Sequence, residues 1–550
     1  MVARRMRKTI YYLYGILLIF TLGCSESDFD NSNGNHEILY VVTIVEDSVI
    51  LNTGSVSSID FSITPNDSSI VFNNDSVNYI IELRLGDNTV PENYKIKGID
   101  NIEGNSSVGI YRAYIEDLCL KNNYDDKVKL VLKDKAKGTT FESSSFFVKY
   151  NCDSLSKALI ELGLPLVVIN TLNEEEPTCD YVAAPYGLAG AGIKNASKVP
   201  GQLIIMKDSD ILYNSGSFEK DKSGMTVKIR GNTSAYNEKK PYKIKLQKKA
   251  DLLFRNNDPS YKDKEWLLLK YADLRSVIGF KLNELMKMQW TPQYQLVNVV
   301  LNGDYRGLYL LTESVKRNSD CRIDVDKSGY IVEYDAYWWN EDVYFVSDWI
   351  FSMNYTFKYP DEEDVTEEQI DYIKNYIKLL ETCIIEGGEY EKYMDVDSWV
   401  RWILAHDILG TWDNYGSNIF VTKYDNTDSS KLMMANLWDF DSNYFMTDAW
   451  SVTHVSSVFY FDKLFNSSNI KFKDTYKSVW NNINPIIFDE MSTFLSSFEK
   501  SVIADCVDKS IIQDNKRWGA TGLSVAEEIE MTKSWFKSRQ IFLNENIPNL

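Results

Sequence analysis

AHDILGTWDNYGSNIFVTKYDNTDSSKLMMANLWDFDSNY, residues 405–444, carries two groups of carboxylates on either side of a strand pair. An apolar helical pattern, Trp399–Leu409, leads into it. The WDNYGSN run is rich in turn formers and breaks that pattern. A short strand, Ile419–Lys423, follows, and then a second, Leu432–Leu437, which ends in Trp438-Asp439-Phe440-Asp441.

Asp413 and Asn418 stand five residues apart, and Asp439 comes after the hairpin. Phosphoryl transfer uses such a set: one carboxylate orients the attacking hydroxyl, while an amide oxygen and a second carboxylate hold Mg²⁺ against phosphates. Protein kinases carry an Asp and an Asn at that spacing, then a metal-binding Asp beside a Phe. A plain hairpin turn accounts for the same residues, because Asp and Asn are common in turns.

Further segments lie upstream: Arg230-Gly231-Asn232-Thr233-Ser234, the run KPYKIKL at 240–246, Trp266-Leu267-Leu268-Leu269, and NGDYRGLYLLTE at 302–313. Together with WDFD, this ordered set resembles the spore-coat CotH family of atypical protein kinases from about Leu164 to near the C-terminus. The resemblance implies an α+β protein-kinase-like domain with a helical C-terminal lobe over 160–550, using ATP and Mg²⁺ to phosphorylate Ser or Thr of a protein. It gives Asp413 the catalytic role and makes Asn418 and Asp439 metal ligands. Asp441 is a second ligand or exchanges roles with Asp439.

Alternation in Tyr242–Leu246 puts Tyr242, Ile244 and Leu246 on one face and Lys243 and Lys245 on the other. In a kinase-like site one of these amines reaches the nucleotide phosphates, Lys245 before Lys243, with Glu313 as the candidate carboxylate partner. A solvated basic edge is the alternative, since Lys239, Lys240, Lys248 and Lys249 crowd the same stretch. Arg230, before a tight turn at Gly231, offers bidentate phosphate contacts or ties the turn to a carboxylate. His406-Asp407 lies too early to match the kinase His-Arg-Asp triplet and reads as structural.

The start of the chain reads as a targeting segment. Basic residues precede the apolar run Ile10–Leu22, and Gly23-Cys24 follows, the pattern of a bacterial lipoprotein signal peptide over 1–23 with lipidation at Cys24. Residues 24–37 form an acidic linker. The expected location is the cell envelope, on the outer membrane or the surface. A net charge of −20 repels polyanions, so nucleic acid is not an expected partner, and an ATP site must be a local island of cations. Cysteines lack the short paired spacing of zinc or redox sites; Cys119 and Cys152 pair or remain thiols. Neither the GxSxG elbow nor the Walker loop occurs.

Residues 38–152 show short alternating runs, among them Ile38–Ile44, Ser57–Ile63, Tyr79–Leu85 and Lys127–Leu132, broken by Asn, Asp, Ser and Gly. They predict an all-β sandwich of immunoglobulin-like type, a spacer without chemical motifs. The glycines of YGLAGAGI, 186–193, depart from the kinase glycine loop and read as a surface loop. Two functional classes follow: an envelope protein kinase, or a catalytically idle surface adhesin or glycan-associated lipoprotein that keeps the fold. A metal-dependent hydrolase using Asp413, Asp439 and Asp441 is a third.

Overall fold

The structure is a computed structural model describing residues 40–44, 46–51, 56–65, 79–104, 108–117, 123–135, 138–151, 154–187, 190–208, 210–256, 258–347, 353–411, 417–442 and 460–550. The expected signal peptide, Cys24, the acidic linker, Cys119, Cys152 and Asp413 lie outside the described residues. Cys179, Cys321, Cys383 and Cys506 are thiols.

Two sheets built from β1 (Tyr40–Ile44), β2 (Ser48–Leu51), β3 (Val56–Pro65), β4 (Tyr79–Leu85), β5 (Tyr94–Gly104), β6 (Gly109–Asp117), β7 (Asn123–Asp134), β8 (Thr140–Glu142) and β9 (Phe146–Asn151) come first. The orders are β1-β3-β6-β5 and β2-β9-β7-β4, with β8 on β7. Alternation turns Ile59, Phe61 and Ile63 of one sheet and Val128, Leu130 and Leu132 of the other into one core, as face-to-face packing of half-apolar strands requires.

After a short helix, α1 (Ser154–Ile160), the chain forms β10 (Leu166–Thr171), the hairpin β11 (Asp180–Ala183) and β12 (Ala191–Lys194), β13 (Val199–Lys207), β14 (Asp210–Asn214), β15 (Met225–Ile229), β16 (Tyr242–Ala250) and β17 (Asp263–Lys270). Helix α2 (Arg275–Leu285) and strands β18 (Tyr294–Leu301) and β19 (Asp304–Glu313) follow. The eight-stranded sheet runs β10-β18-β19-β17-β16-β15-β13-β14, and β10 also pairs with β13. The sheet therefore closes into a barrel, with β14 carried on β13. Val167, Val227, Ile244, Trp266, Val299 and Leu311 fill the interior. Leu166 and Val168, the alternate residues of β10, pack outward with Leu159 of α1, so that strand is apolar on both faces.

A second sheet, ordered β21-β22-β20-β23-β24, consists of β20 (Tyr330–Tyr334), β21 (Tyr344–Val346), β22 (Asn354–Tyr359), β23 (Ile419–Lys423) and β24 (Leu432–Met434). Between β22 and β23 come α3 (Glu367–Glu386), opened by a Thr366–Gln369 capping box, and α4 (Val396–Leu409), N-capped by Asp395 and ended at left-handed Gly410. Helices α5 (Phe461–Asn466), α6 (Lys471–Glu499), α7 (Val502–Trp518) and α8 (Val525–Asn546) complete the chain. No helix among the described residues is long and apolar enough to cross a membrane.

The late helices brace the site from behind. Asp514 of α7 accepts from Lys239 Nζ at 2.7 Å and from Leu308 N at 2.8 Å, and Trp518 Nε1 donates to the Arg306 carbonyl at 3.1 Å. These bonds clamp the β18–β19 hairpin. Arg539 of α8, fully buried, donates through Nε to the Asp407 carbonyl at 2.6 Å, and Tyr476 Oη donates to Asp407 Oδ2 at 2.9 Å. His406 Nδ1 meets Thr411 Oγ1 at 2.9 Å, and burial pushes its pKa down to about 3. A neutral, enclosed imidazole is a structural group.

Glu528 of α8 accepts the Leu274 N–H at 2.8 Å, at the entrance to α2. Burial, with Asp273 alongside, pushes its carboxyl up to about 8. A folded-state pKa raised above the unfolded value contributes stability that is complete below the unfolded pKa and is lost as pH rises through the folded one. Glu528→Gln keeps an acceptor for Leu274 and should flatten the fall in melting temperature between about pH 5 and about pH 9 that this linkage produces. An unchanged slope in the variant contradicts it.

Candidate functional site

Where the outer face of the barrel meets the second sheet lies a cleft of about 1100 Å³, a little larger than most small-molecule sites. Its barrel wall is cationic. Lys228 of β15 stands directly opposite Lys243 of β16 in register, and with Arg230 and Lys270 both line the cleft. Alternation explains the wall: Val227, Ile229, Tyr242 and Ile244 point into the barrel, so Lys228 and Lys243 must point out.

Lys243 Nζ lies 2.8 Å from Glu265 Oε2 on the neighbouring strand. Burial opposes the charge on Glu265, yet Lys243 and Lys316 hold its carboxyl below the ordinary value. Burial and the facing Lys243 push the Lys228 pKa down. Burial does the same to Lys270, against the pull of Asp441 and Asp439, and to Arg230, against Asp439 and Glu333. Those two attractions cross the cleft and link its walls.

The opposite wall is acidic and amidic. Asn418, immediately before β23, and Asp439 and Asp441, after β24, line it with Glu333, Asp335 and Lys358. Asn418 (φ 65°) and Asp439 (φ 59°) both have left-handed backbones, which Asn and Asp adopt more readily than other non-glycine residues. In the WDFD run Trp438 and Phe440 are buried against Phe280 of α2, at ring distances of 6.0 Å and 5.6 Å. The alternate residues, Asp439 and Asp441, are thereby turned to the cleft. Arg275 fixes the same segment from α2: it bonds the Asp441 carbonyl, and its Nε donates to Asp273 Oδ2 at 2.7 Å. Burial, reinforced by Asp335 and opposed by Lys358, pushes Glu333 up to about 7.

Of the residues singled out in the sequence, Arg230, Lys243, Asn418, Asp439 and Asp441 come together in this cleft. Two do not. Lys245 shares the face of Lys243 but lies away from the cleft, 60% exposed and 3.8 Å from Glu265. Glu313 is fully buried and accepts from Arg255 Nη1 at 2.8 Å and Gln293 N at 3.0 Å. It is therefore no partner of a strand lysine, and Glu265 takes that place. Sequence reasoning missed Lys228, Lys270, Glu265, Glu333 as a contact of Asn418, and Lys358. For Lys228 the alternation of Met225–Ile229 was a usable signal; Lys358 has none in its local sequence. The glycine-containing β11–β12 hairpin is also closer to the site than a plain surface loop, since Ile193, Lys194 and Asn195 line the cleft.

The donor set suits a hard divalent cation bound with phosphates. Among the described residues no three His, Cys, Asp or Glu cluster as a metal cage, so the Asp439 and Asp441 carboxylates and the Asn418 amide oxygen would share the ion with phosphate and water oxygens. Mg²⁺ is commonly held that way. The CotH kinase protein family matches over residues 227–543, more than half of the 550-residue chain. A comparison with curated proteins gives no match.

Phe440 sits so close to α2 that a Cβ on Gly279 would lie 2.4 Å from its ring. Gly279→Ala should destabilise the protein by about 1–3 kcal/mol in a urea titration. Gly86→Ala, with nothing within 4 Å of the added carbon, serves as the neutral control. Equal stability of the two variants contradicts this packing.

Proposed function

The chain belongs to the CotH kinase family, and from that premise we propose that it is an atypical protein kinase of the bacterial envelope, transferring the γ-phosphoryl group of ATP to Ser or Thr of a protein. The observation that carries the reading is a single cleft with Lys228, Arg230, Lys243 and Lys270 on one wall and Asn418, Asp439 and Asp441 on the other. In a chain of net charge −20, this is the island of cations that a triphosphate needs.

In this reading Lys243, steadied by Glu265, binds phosphate oxygens, and Arg230 and Lys228 share their charge. Asn418 and Asp439 would hold Mg²⁺, with Asp441 as a further ligand. Mg²⁺, when bound, would neutralise charge that develops on the phosphates. Asp413 orients the acceptor hydroxyl and takes its proton. Placement and fixed charge supply most of the rate in such reactions. Residues 38–152 act as an immunoglobulin-like spacer, and lipidation at Cys24 tethers the protein to the outer membrane or cell surface; two sheets on one core support the first part.

The test is transfer of label from γ-³²P-ATP with Mg²⁺ to the protein itself or to a generic acceptor such as casein. Asp439→Ala and Lys243→Ala should each lower the rate by about 10²–10³-fold. Full incorporation by Asp439→Ala contradicts the proposed site. Nucleotide binding without any transfer by the wild-type protein favours an idle, ligand-binding relative.

A further inference from the structure

We infer that Glu333 and Lys358 are a positioning pair that fixes Asn418 at the mouth of its strand, and so sets how tightly the cleft holds a divalent cation. The inference rests on the reading of the cleft as a metal–nucleotide site. The ladder between β20 and β23 ends at Tyr334 opposite Ile419. Asn418 is the next residue out, so its N–H has passed the last strand pair. Glu333 Oε1 accepts that N–H at 3.2 Å, standing in for a ladder bond where the chain swings into the left-handed region.

The second carboxylate oxygen is taken as well: Glu333 Oε2 lies 2.9 Å from Lys358 Nζ. Lys358 reaches it through a bulge. On β22, Tyr359 pairs with Ile331 and Phe357 with Val332, which leaves Lys358 as the extra residue between them. A bulge of this kind re-aims a side chain, and here both it and Glu333 line the cleft. Asp335 is held separately, accepting from Tyr337 N at 2.7 Å and Thr356 Oγ1 at 3.1 Å.

With both oxygens engaged, Glu333 acts on the cation through Asn418. A group that orients a metal ligand in this way typically changes metal affinity by about 10–100-fold when removed. Glu333→Gln removes the charge and keeps the acceptor for the Asn418 N–H, so it separates geometry from field.

Binding of Mn²⁺ to the full chain in the presence of ADP, followed by the free-ion electron paramagnetic resonance signal, tests this. Glu333→Ala and Lys358→Met should weaken Mn²⁺ binding by about tenfold or more while ADP binding without metal stays within about twofold of wild type. Glu333→Gln retains an oxygen for the Asn418 N–H and should recover part of the loss. In the transfer assay the KM for Mg²⁺ should rise while kcat at saturating Mg²⁺ stays near wild type. Unchanged Mn²⁺ affinity in folded Glu333→Ala and Lys358→Met overturns the inference and leaves the kinase reading standing. A wild-type protein that neither binds Mn²⁺ with ADP nor transfers phosphate overturns both.

Discussion

Two lysines face each other across adjacent strands, and the site is arranged around the need to offset that repulsion. Lys228 and Lys243 are register partners on the outer face of a barrel whose interior is packed with apolar side chains. Like charges directly opposite each other weaken a sheet, and burial makes the pair costlier. Glu265 answers part of this from the next strand. The rest comes from across the cleft, where Asp439 and Glu333 act on Arg230, and Asp441 and Asp439 act on Lys270. A polyanion chelating a cation would satisfy both walls at once, which is the physical basis of the proposed phosphotransfer.

Holding the acidic wall in place requires backbone that is costly on its own. Left-handed conformations at non-glycine residues persist where surrounding packing over-determines them, and Asn418 and Asp439 are both in this class. Phe440 wedged against Gly279 and Phe280, with Arg275 on the Asp441 carbonyl, fixes the second. The C-terminal helices carry this support outward. Buried Arg539 holds the end of α4, and Asp514 and Trp518 of α7 hold the β18–β19 hairpin. A helical lobe of this size serves the cleft chiefly by removing alternatives to one geometry.

Local pattern made some of this legible. Tyr79–Leu85 falls at the residues that alternation indicates, Ile419–Lys423 at the short run after the turn, and Asn302-Gly303 marks the hairpin that forms. The helical C-terminal region lies where the resemblance implies it. Barrel closure was not legible, because the β10–β13 and β10–β18 pairings join distant segments, one of them in parallel, and nothing local encodes a partner. Lys243 and Lys245 share a face, so alternation cannot separate them; only their distances from the cleft do. Glu313 ends a strand like a surface acid, and its burial depends on Arg255, a residue from a loop far back in the sequence. Lys358 owes its direction to a bulge, which is a property of pairing and not of composition.

The central claim is that the two walls close on one metal–triphosphate. Crystals grown with Mn²⁺ and a non-hydrolysable ATP analogue, measured at the manganese absorption edge, address it most directly. The account predicts one anomalous peak within coordinating distance of the Asn418 and Asp439 side-chain oxygens, and phosphate oxygens in contact with Lys243 and Arg230. A peak elsewhere, or a nucleotide bound outside the cleft, contradicts it.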